Sequence, residues 1–228
     1  MGTLGVCDIG QVEYREAYAL QGRVHAARQA GEIGDTLLLV DHPPVLTRGR
    51  RTEASELPMG ESWYLSQGID VVDVDRGGRL TYHGPGQLVG YAIMGVTDVL
   101  AFVRTMEGAI VTALEEQGLQ ARARPDEGPD FTGVWVEDRK IASIGIHVAR
   151  GVATHGFAIN ADNDLQPFTF IVPCGLPEVQ MTSLSKETGR HGTLPGLREA
   201  MVRNFAAAHG LQVQTVDPDS WHRPSPGS

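Results

Sequence analysis

The sequence predicts an α/β domain of the α+β kind, a mixed sheet flanked by helices. Three observations lead there. Long segments with apolar residues at helical spacing alternate with short apolar strands. Residues 133–159 read as three strands joined by short turns, an antiparallel meander. No repeat and no internal linker interrupts the 228 residues, a length that holds one large domain with a real core. Residues 1–216 are therefore taken as a single domain, with a smaller C-terminal lobe from about 182 as a variant. Residues 217–228, with three prolines, are taken as a flexible tail.

Taken in order, residues 3–9 form a short strand. From Gln11 to Ala30, Val12, Leu20, Val24 and Ala27 recur at helical spacing, and Gly31 supplies a stop. Asp35 to Asp41 is a buried strand closed by His42-Pro43-Pro44. Residues 50–63 are polar and turn-rich and read as a mobile loop. Asp70–Asp75 alternates as a strand, and Arg76-Gly77-Gly78-Arg79 turns into another at Leu80–Tyr82. His83-Gly84-Pro85-Gly86 is a tight loop before a strand at Gln87–Met94. Asp98 caps an amphipathic helix that runs through Leu100, Val103, Ile110, Val111 and Leu114 to Gly118. The meander strands are Gly133–Val136, Lys140–Val148 and Val152–Ile159. Asp164–Phe170 reads as one helical turn, Met181–Thr188 and Leu197–His209 as helices, and 211–216 as a last strand.

Composition narrows the function. Hydrophobic residues make up 41% and charged residues 21%, ordinary for a soluble globular chain. No apolar run approaches the roughly 18 residues of a membrane span. The N-terminus lacks the pattern of a signal peptide, and two distant cysteines, Cys7 and Cys174, read as reduced thiols, so a cytoplasmic setting is expected. A net charge of −9 argues against a nucleic-acid binder. Locally, Arg48, Arg50, Arg51, Arg76 and Arg79 form either a solvated face or a basic rim for an acidic partner.

The chemistry gathers around two residues. Cys174 follows the Pro-fixed backbone of Ile171-Val172-Pro173 and precedes Gly175, in a loop closing an apolar run. The chain has 17 Arg and only two Lys, Lys140 and Lys186, so a lysine at 140 points to a cation that can release its proton. A neighbouring ammonium lowers a thiol pKa, and a buried lysine can accept the thiol proton and return it to a leaving group. Cys7 is read as structural. The stretch from Arg76 to Gln87 carries two Gly-rich turns around a short strand, where backbone N–H groups can approach a ligand carbonyl as in an oxyanion hole. It is not a nucleotide fingerprint, and no G-x-x-x-x-G-K-[ST] occurs. His83, His147, His155 and Cys174 lack the spacing of a zinc site, Asn160 to Asp164 fails as a calcium loop, and Ser183-Leu-Ser-Lys186 lacks the partners of a serine acylase.

These pieces together resemble the lipoyl(octanoyl) transferase family. The matching segments are Arg76-Gly-Gly-Arg-Leu-Thr-Tyr-His-Gly-Pro-Gly-Gln-Leu-Val-Gly-Tyr91, Gly133-Val-Trp-Val136, Lys140-Ile-Ala-Ser-Ile-Gly-Ile-His147, His155-Gly-Phe-Ala-Ile-Asn160, Ile171-Val-Pro-Cys-Gly175 and Thr182-Ser-Leu184. The resemblance runs from about Tyr14 to Leu184. It implies a fold like the catalytic domains of biotin protein ligases and lipoate ligases, with Cys174 as acyl-thioester nucleophile and Lys140 lowering its pKa. It implies an octanoyl pocket from Arg76, Gly77, Gly78, Arg79, Leu80, Thr81, Tyr82 and His83, from Ser143, Ile144 and Gly145, and from Gly156, Phe157 and Ala158.

The implied reaction takes octanoyl from octanoyl-acyl carrier protein to lipoyl domains, those of 2-oxoacid dehydrogenase E2 subunits and of the glycine cleavage H protein. Thioester exchange is nearly even and amide formation downhill, so neither ATP nor a metal is required. Nucleic acid and membrane are not partners, and a monomer suffices. Three rivals stay open on sequence: an ATP-dependent ligase, a cysteine thioesterase and a non-catalytic carrier-binding module.

Overall fold

The computed structural model describes residues 2–173 and 179–221; Met1, 174–178 and 222–228 lie outside the described residues. A large mixed sheet carries β1 (Gly2–Gln11), β2 (Asp35–Asp41), β6 (Gln87–Ile93), β7 (Arg122–Ala123), β8 (Gly133–Val136), β9 (Arg139–Ala149), β10 (Val152–Asn160) and β12 (Leu211–Thr215). Their spatial order is β12-β1-β2-β6-β10-β9-β8-β7. β1 pairs parallel with both β12 and β2, and the rest of that path is antiparallel. A short strand β11 (Gln180–Met181) adds parallel to the start of β9.

Three helices cover the two faces. Helix α1 (Tyr14–Gln29) packs on β6 and β10, and Gly31, at φ +74°, ends its C-terminal turn as the sequence predicts. On the opposite face lie α3 (Val99–Glu116) and α5 (Leu194–Ala208), packed against each other. The predicted cap of α3 is in place, the Asp98 side chain accepting from Ala101 N–H at 3.0 Å. Phe102, Met106, Ile110, Phe157, Ile159 and Phe205 fill the core under α3 and α5; Leu20, Val24, Leu38, Val89, Tyr91 and Ala158 fill the one under α1. Among the described residues no helix is long and apolar enough to cross a membrane.

A second, three-stranded sheet, β4-β3-β5, stands over the α1 face. It comprises β3 (Val45–Arg48), β4 (Asp70–Asp73) and β5 (Thr81–His83). Strand β3 is absent from the sequence reading, because four residues after Pro43-Pro44 carry too little period to separate from a loop. The segment 50–63 is more ordered than its polarity predicts. It holds a 3-10 turn (Ala54–Glu56) and the start of α2 (Glu61–Ser66), each anchored by one buried side chain, Glu56 and Tyr64. With Tyr82, Phe168 and Ile171, Tyr64 forms a third apolar cluster. The predicted helix at Met181–Thr188 begins only with α4 (Leu184–Thr188), where the Ser183 hydroxyl accepts from Lys186 N–H. Before that cap, residues 180–181 pair as β11.

Candidate active site

Between the two sheets, above the seam where β9 pairs β10, lies a cleft lined by residues from each of the three stretches expected to form the octanoyl pocket, and by Lys140. Lys140, Ser143, Ile144 and Gly145 come from β9, and His155, Gly156, Phe157 and Ala158 from β10. Arg76, Gly78, Arg79, Leu80, Thr81 and His83 form the opposite wall, with Tyr14, Val89 and Tyr91 at the base. Of the expected wall, Gly77 and Tyr82 do not face the cleft. Tyr82 turns to the third cluster, its ring 5.4 Å from Phe168. Gly77 stands behind the wall and ties the sheets together, donating N–H to Ile146 O at 2.9 Å.

The sharp aim of Lys140 has a local cause. The β8–β9 register slips between Val134 and Trp135, so that Val134 faces Ala142 and Trp135 faces Lys140. Such a bulge re-aims a side chain. The aliphatic stem of Lys140 then passes close over Gly133, whose φ is +132°, and a Cβ there would stand 2.9 Å from Lys140 Cε. Lys140 is 1% exposed, and its ammonium lies 5.2 Å from the Trp135 ring centroid. Gly133 is itself fixed from beneath. The carboxylate of Glu107, 1% exposed, accepts Gly133 N–H at 2.9 Å and pairs with Arg104 at 2.6 Å. The sequence reading passes over Glu107, yet the signal was there: it stands in the apolar stripe of α3 with Val103, Ile110 and Leu114.

Cys174 lies outside the described residues. The chain on either side of it is fixed. Val172 N–H donates to Glu56 O at 3.1 Å, and the Tyr64 hydroxyl donates to Phe170 O at 2.6 Å. On the far side β11 sets Met181 beside Lys140, and Thr182 N–H donates to Lys140 O at 2.9 Å.

The oxyanion-hole expectation for the Gly-rich turn needs correction. Two of its N–H groups are already spent inside the protein, Gly77 on Ile146 O and Leu80 on the Glu56 carboxylate at 3.0 Å. Arg76, mostly buried, turns its guanidinium back onto Thr47 O and Arg79 O at 2.7 and 2.8 Å, holding the turn closed. The arginines of the presumed rim are largely matched by carboxylates: Arg48 by Asp73 and Glu61, Arg51 by Asp130, Arg79 by Glu53 and Glu56.

Glu56 is the residue no sequence signal marked. Its carboxylate receives Leu80 N–H and Arg79, and its carbonyl receives Val172 N–H. Glu56→Ala leaves the Leu80 N–H buried without a partner, so stability should fall by about 2–3 kcal/mol in urea unfolding, against about 1 kcal/mol for Glu56→Gln. Equal losses for the two variants would show that packing, not the carboxylate, matters here.

The base of the cleft is polar but neutral. His83 Nδ1–H donates to Gln87 Oε1 at 2.7 Å, and Gln87 in turn donates to Asn160 Oδ1 at 2.9 Å. His42 Nδ1–H donates to Val12 O, and its Nε2 accepts from the Tyr91 hydroxyl at 2.6 Å. Burial pushes His83 down to about 3 and His42 down to about 4, so both rings are uncharged at neutral pH. Burial also lifts the Tyr14 hydroxyl to about 12. Among the described residues no group of three or more His, Cys, Asp and Glu is placed to hold a metal ion.

This constellation has relatives. Residues 13–206 match the family model of the lipoyl protein ligase A/B catalytic domain. An octanoyltransferase of Dictyoglomus thermophilum is 45% identical over 177 residues, 78% of this chain and 75% of that protein. One of Acidothermus cellulolyticus is 45% identical over 201 residues, 85% of this chain and 86% of that protein. Among solved structures, a lipoate protein ligase described as putative, from T. acidophilum with bound lipoic acid, superposes with a TM-score of 0.79 at 18% identity, covering 96% of this chain and 91% of that one. A biotin protein ligase of Aquifex aeolicus superposes with a TM-score of 0.52 at 13% identity, over 90% of this chain and 70% of that one. The expected fold is thus the observed one, and with a family model spanning most of its length and relatives at this identity the chain belongs to the octanoyltransferases, acyltransferases built on the lipoyl protein ligase A/B catalytic domain.

Proposed function

We propose that this enzyme carries octanoyl from octanoyl-acyl carrier protein to a lysine of lipoyl domains, in 2-oxoacid dehydrogenase E2 subunits and the glycine cleavage H protein, through a thioester on Cys174. In the first half-reaction the Cys174 thiolate attacks the carrier thioester carbonyl, and the carrier thiol leaves with the proton that Lys140 took from Cys174. In the second, the acceptor amine attacks the new thioester, the Cys174 thiolate leaves, and the surplus amine proton passes to Lys140. Acyl exchange between thiols followed by amide formation consumes no nucleotide and asks nothing of a metal.

The observation that carries this reading is the placement of Lys140, buried in the wall of the cleft and flanked by β11, the strand that the chain enters soon after Cys174. The proposed acyl chain lies along Ser143, Ile144 and Gly145, opposite Gly156, Phe157 and Ala158, with Arg76 to His83 above it. The test is intact-protein mass spectrometry after mixing with octanoyl-acyl carrier protein. A single octanoyl adduct, mapped to Cys174 and discharged by an apo lipoyl domain, is the expected result. Transfer that appears only with ATP and free octanoate would overturn it in favour of a ligase.

A further inference from the structure

The two margins of the cleft are held in different ways. On the β10 side the smaller sheet is tied down firmly. Asp75, just after β4, accepts from His155 Nε2–H at 2.7 Å and from the Tyr18 hydroxyl at 2.9 Å, and Gly77 N–H meets Ile146 O from β9. On the β8 side the contact is of another kind. Arg51, in the loop after β3, is fixed by its own N–H, which donates to Gly78 O at 3.1 Å. Its side chain crosses to Asp130, in the 3-10 turn Pro129–Phe131 that leads into β8. Arg51 Nη2 stands 3.0 Å from Asp130 Oδ1, yet that oxygen is buried and accepts no hydrogen bond among the described residues. The charges meet without hydrogen-bond alignment. Arg48 and Arg79, by contrast, make aligned hydrogen bonds to Asp73 and Glu56 at 2.6 and 2.7 Å.

This pair stands at the mouth. Of the residues lining the cleft, Arg51 and Pro129 are exposed and the rest buried or half-buried. It also stands near the chemistry. Asp130 comes three residues before Gly133, so their Cα atoms are at most roughly 11 Å apart, and Gly133 lies against the Lys140 stem. The proposed donor presents its acyl group on a pantetheine arm, joined to the carrier through a phosphodiester. Such an arm spans roughly 17 Å from sulfur to phosphorus when extended. An arm whose thioester lies beside Lys140 therefore carries its phosphate out to the mouth. A guanidinium meets phosphate with two parallel N–H···O bonds, which the misaligned Asp130 carboxylate does not offer it.

We propose that Arg51 is a specificity-determining residue, which selects donors whose acyl arm carries a phosphate. In the free enzyme Arg51 straps the mouth to Asp130. A donor phosphate takes the place of Asp130, the strap parts, and the acyl chain enters. An acyl thioester without a phosphate has to part the same pair with nothing to replace it. This rests on the octanoyl transfer proposed above.

The test compares octanoyl-phosphopantetheine with octanoyl-pantetheine, donors that differ by one phosphate, for the full-length enzyme with an apo lipoyl domain as acceptor. Wild type should favour the phosphorylated donor about tenfold in kcat/KM, mostly through KM, the scale of a charge-assisted contact. Arg51→Gln should erase that preference. Asp130→Asn should keep it and speed the phosphate-free donor about threefold, the scale of an exposed ion pair. Both side chains are more than a third exposed, at 48% and 38%, so the variants keep the fold. A preference that survives in Arg51→Gln, or is missing from the wild type, overturns the proposal, as does a phosphate-free rate unmoved in Asp130→Asn. If only octanoyl-acyl carrier protein serves as donor, its KM in Arg51→Gln decides: a rise of about tenfold is expected, and no change overturns the proposal. Wild type that takes octanoyl from none of the three refutes the transfer reading itself, a result distinct from transfer without preference.

Discussion

Lys140→Met should slow loading of the enzyme from octanoyl-acyl carrier protein about a thousandfold, in the range removed with a positioned acid–base group, while the protein still folds. The Lys140 side chain is 1% exposed, and Met, of similar length, fills the same slot against Trp135 and Gly133. A residue kept for packing alone would leave the rate little changed. Time-resolved intact mass follows the rate, and calorimetry on the same preparation verifies the fold. Loading at the wild-type rate in Lys140→Met would remove Lys140 from the chemistry.

Gly133→Ala should lose at least about 3 kcal/mol of stability by urea unfolding, through backbone strain and overpacking together. The φ of +132° is open to glycine and strained for alanine, and the added Cβ would stand 2.3 Å from Ala142 O. That contact is with backbone, at the first pair of the β8–β9 ladder, and cannot be relieved by rotating a side chain. Whatever fraction folds should also load slowly, because the same Cβ presses on the Lys140 stem. A Gly133→Ala protein with the wild-type unfolding midpoint would mean that the bulge relaxes freely and does not aim Lys140.

How far the sequence foretold this site depended on the range of each interaction. Strand β2 and the capped helix α3 follow from local period and a single capping residue, and both stand where expected. Lys140 was legible because it is one of two lysines, and the Gly-rich stretch because glycine pairs mark tight backbone. Glu56 was not. Its importance comes from meeting Leu80, Arg79 and Val172, which lie far along the chain, and nothing in Glu53 to Glu56 announces those meetings. His155 was legible as a histidine beside a glycine, but its left-handed backbone, at φ +58°, and its ring stacked on Tyr18 depend on Tyr18, Gln21 and Asp75 arriving from α1 and from the residues after β4. Backbone donors of the Gly-rich turn looked available because a sequence does not reveal who else needs them, and Ile146 and Glu56 did.

The cleft has its floor in one sheet and its roof in another. Residues that aim Lys140, from Glu107 through Gly133 to the bulge in β9, all belong to the floor and to the helix beneath it. Residues from 45 to 83 shape the roof. Substitutions that deepen, narrow or recharge the roof therefore leave the ladder of β8, β9 and β10 intact, and the shape of the site and the aim of its lysine can vary independently. On the function proposed above, an architecture divided in this way lets new acyl specificities arise on an unaltered catalytic frame.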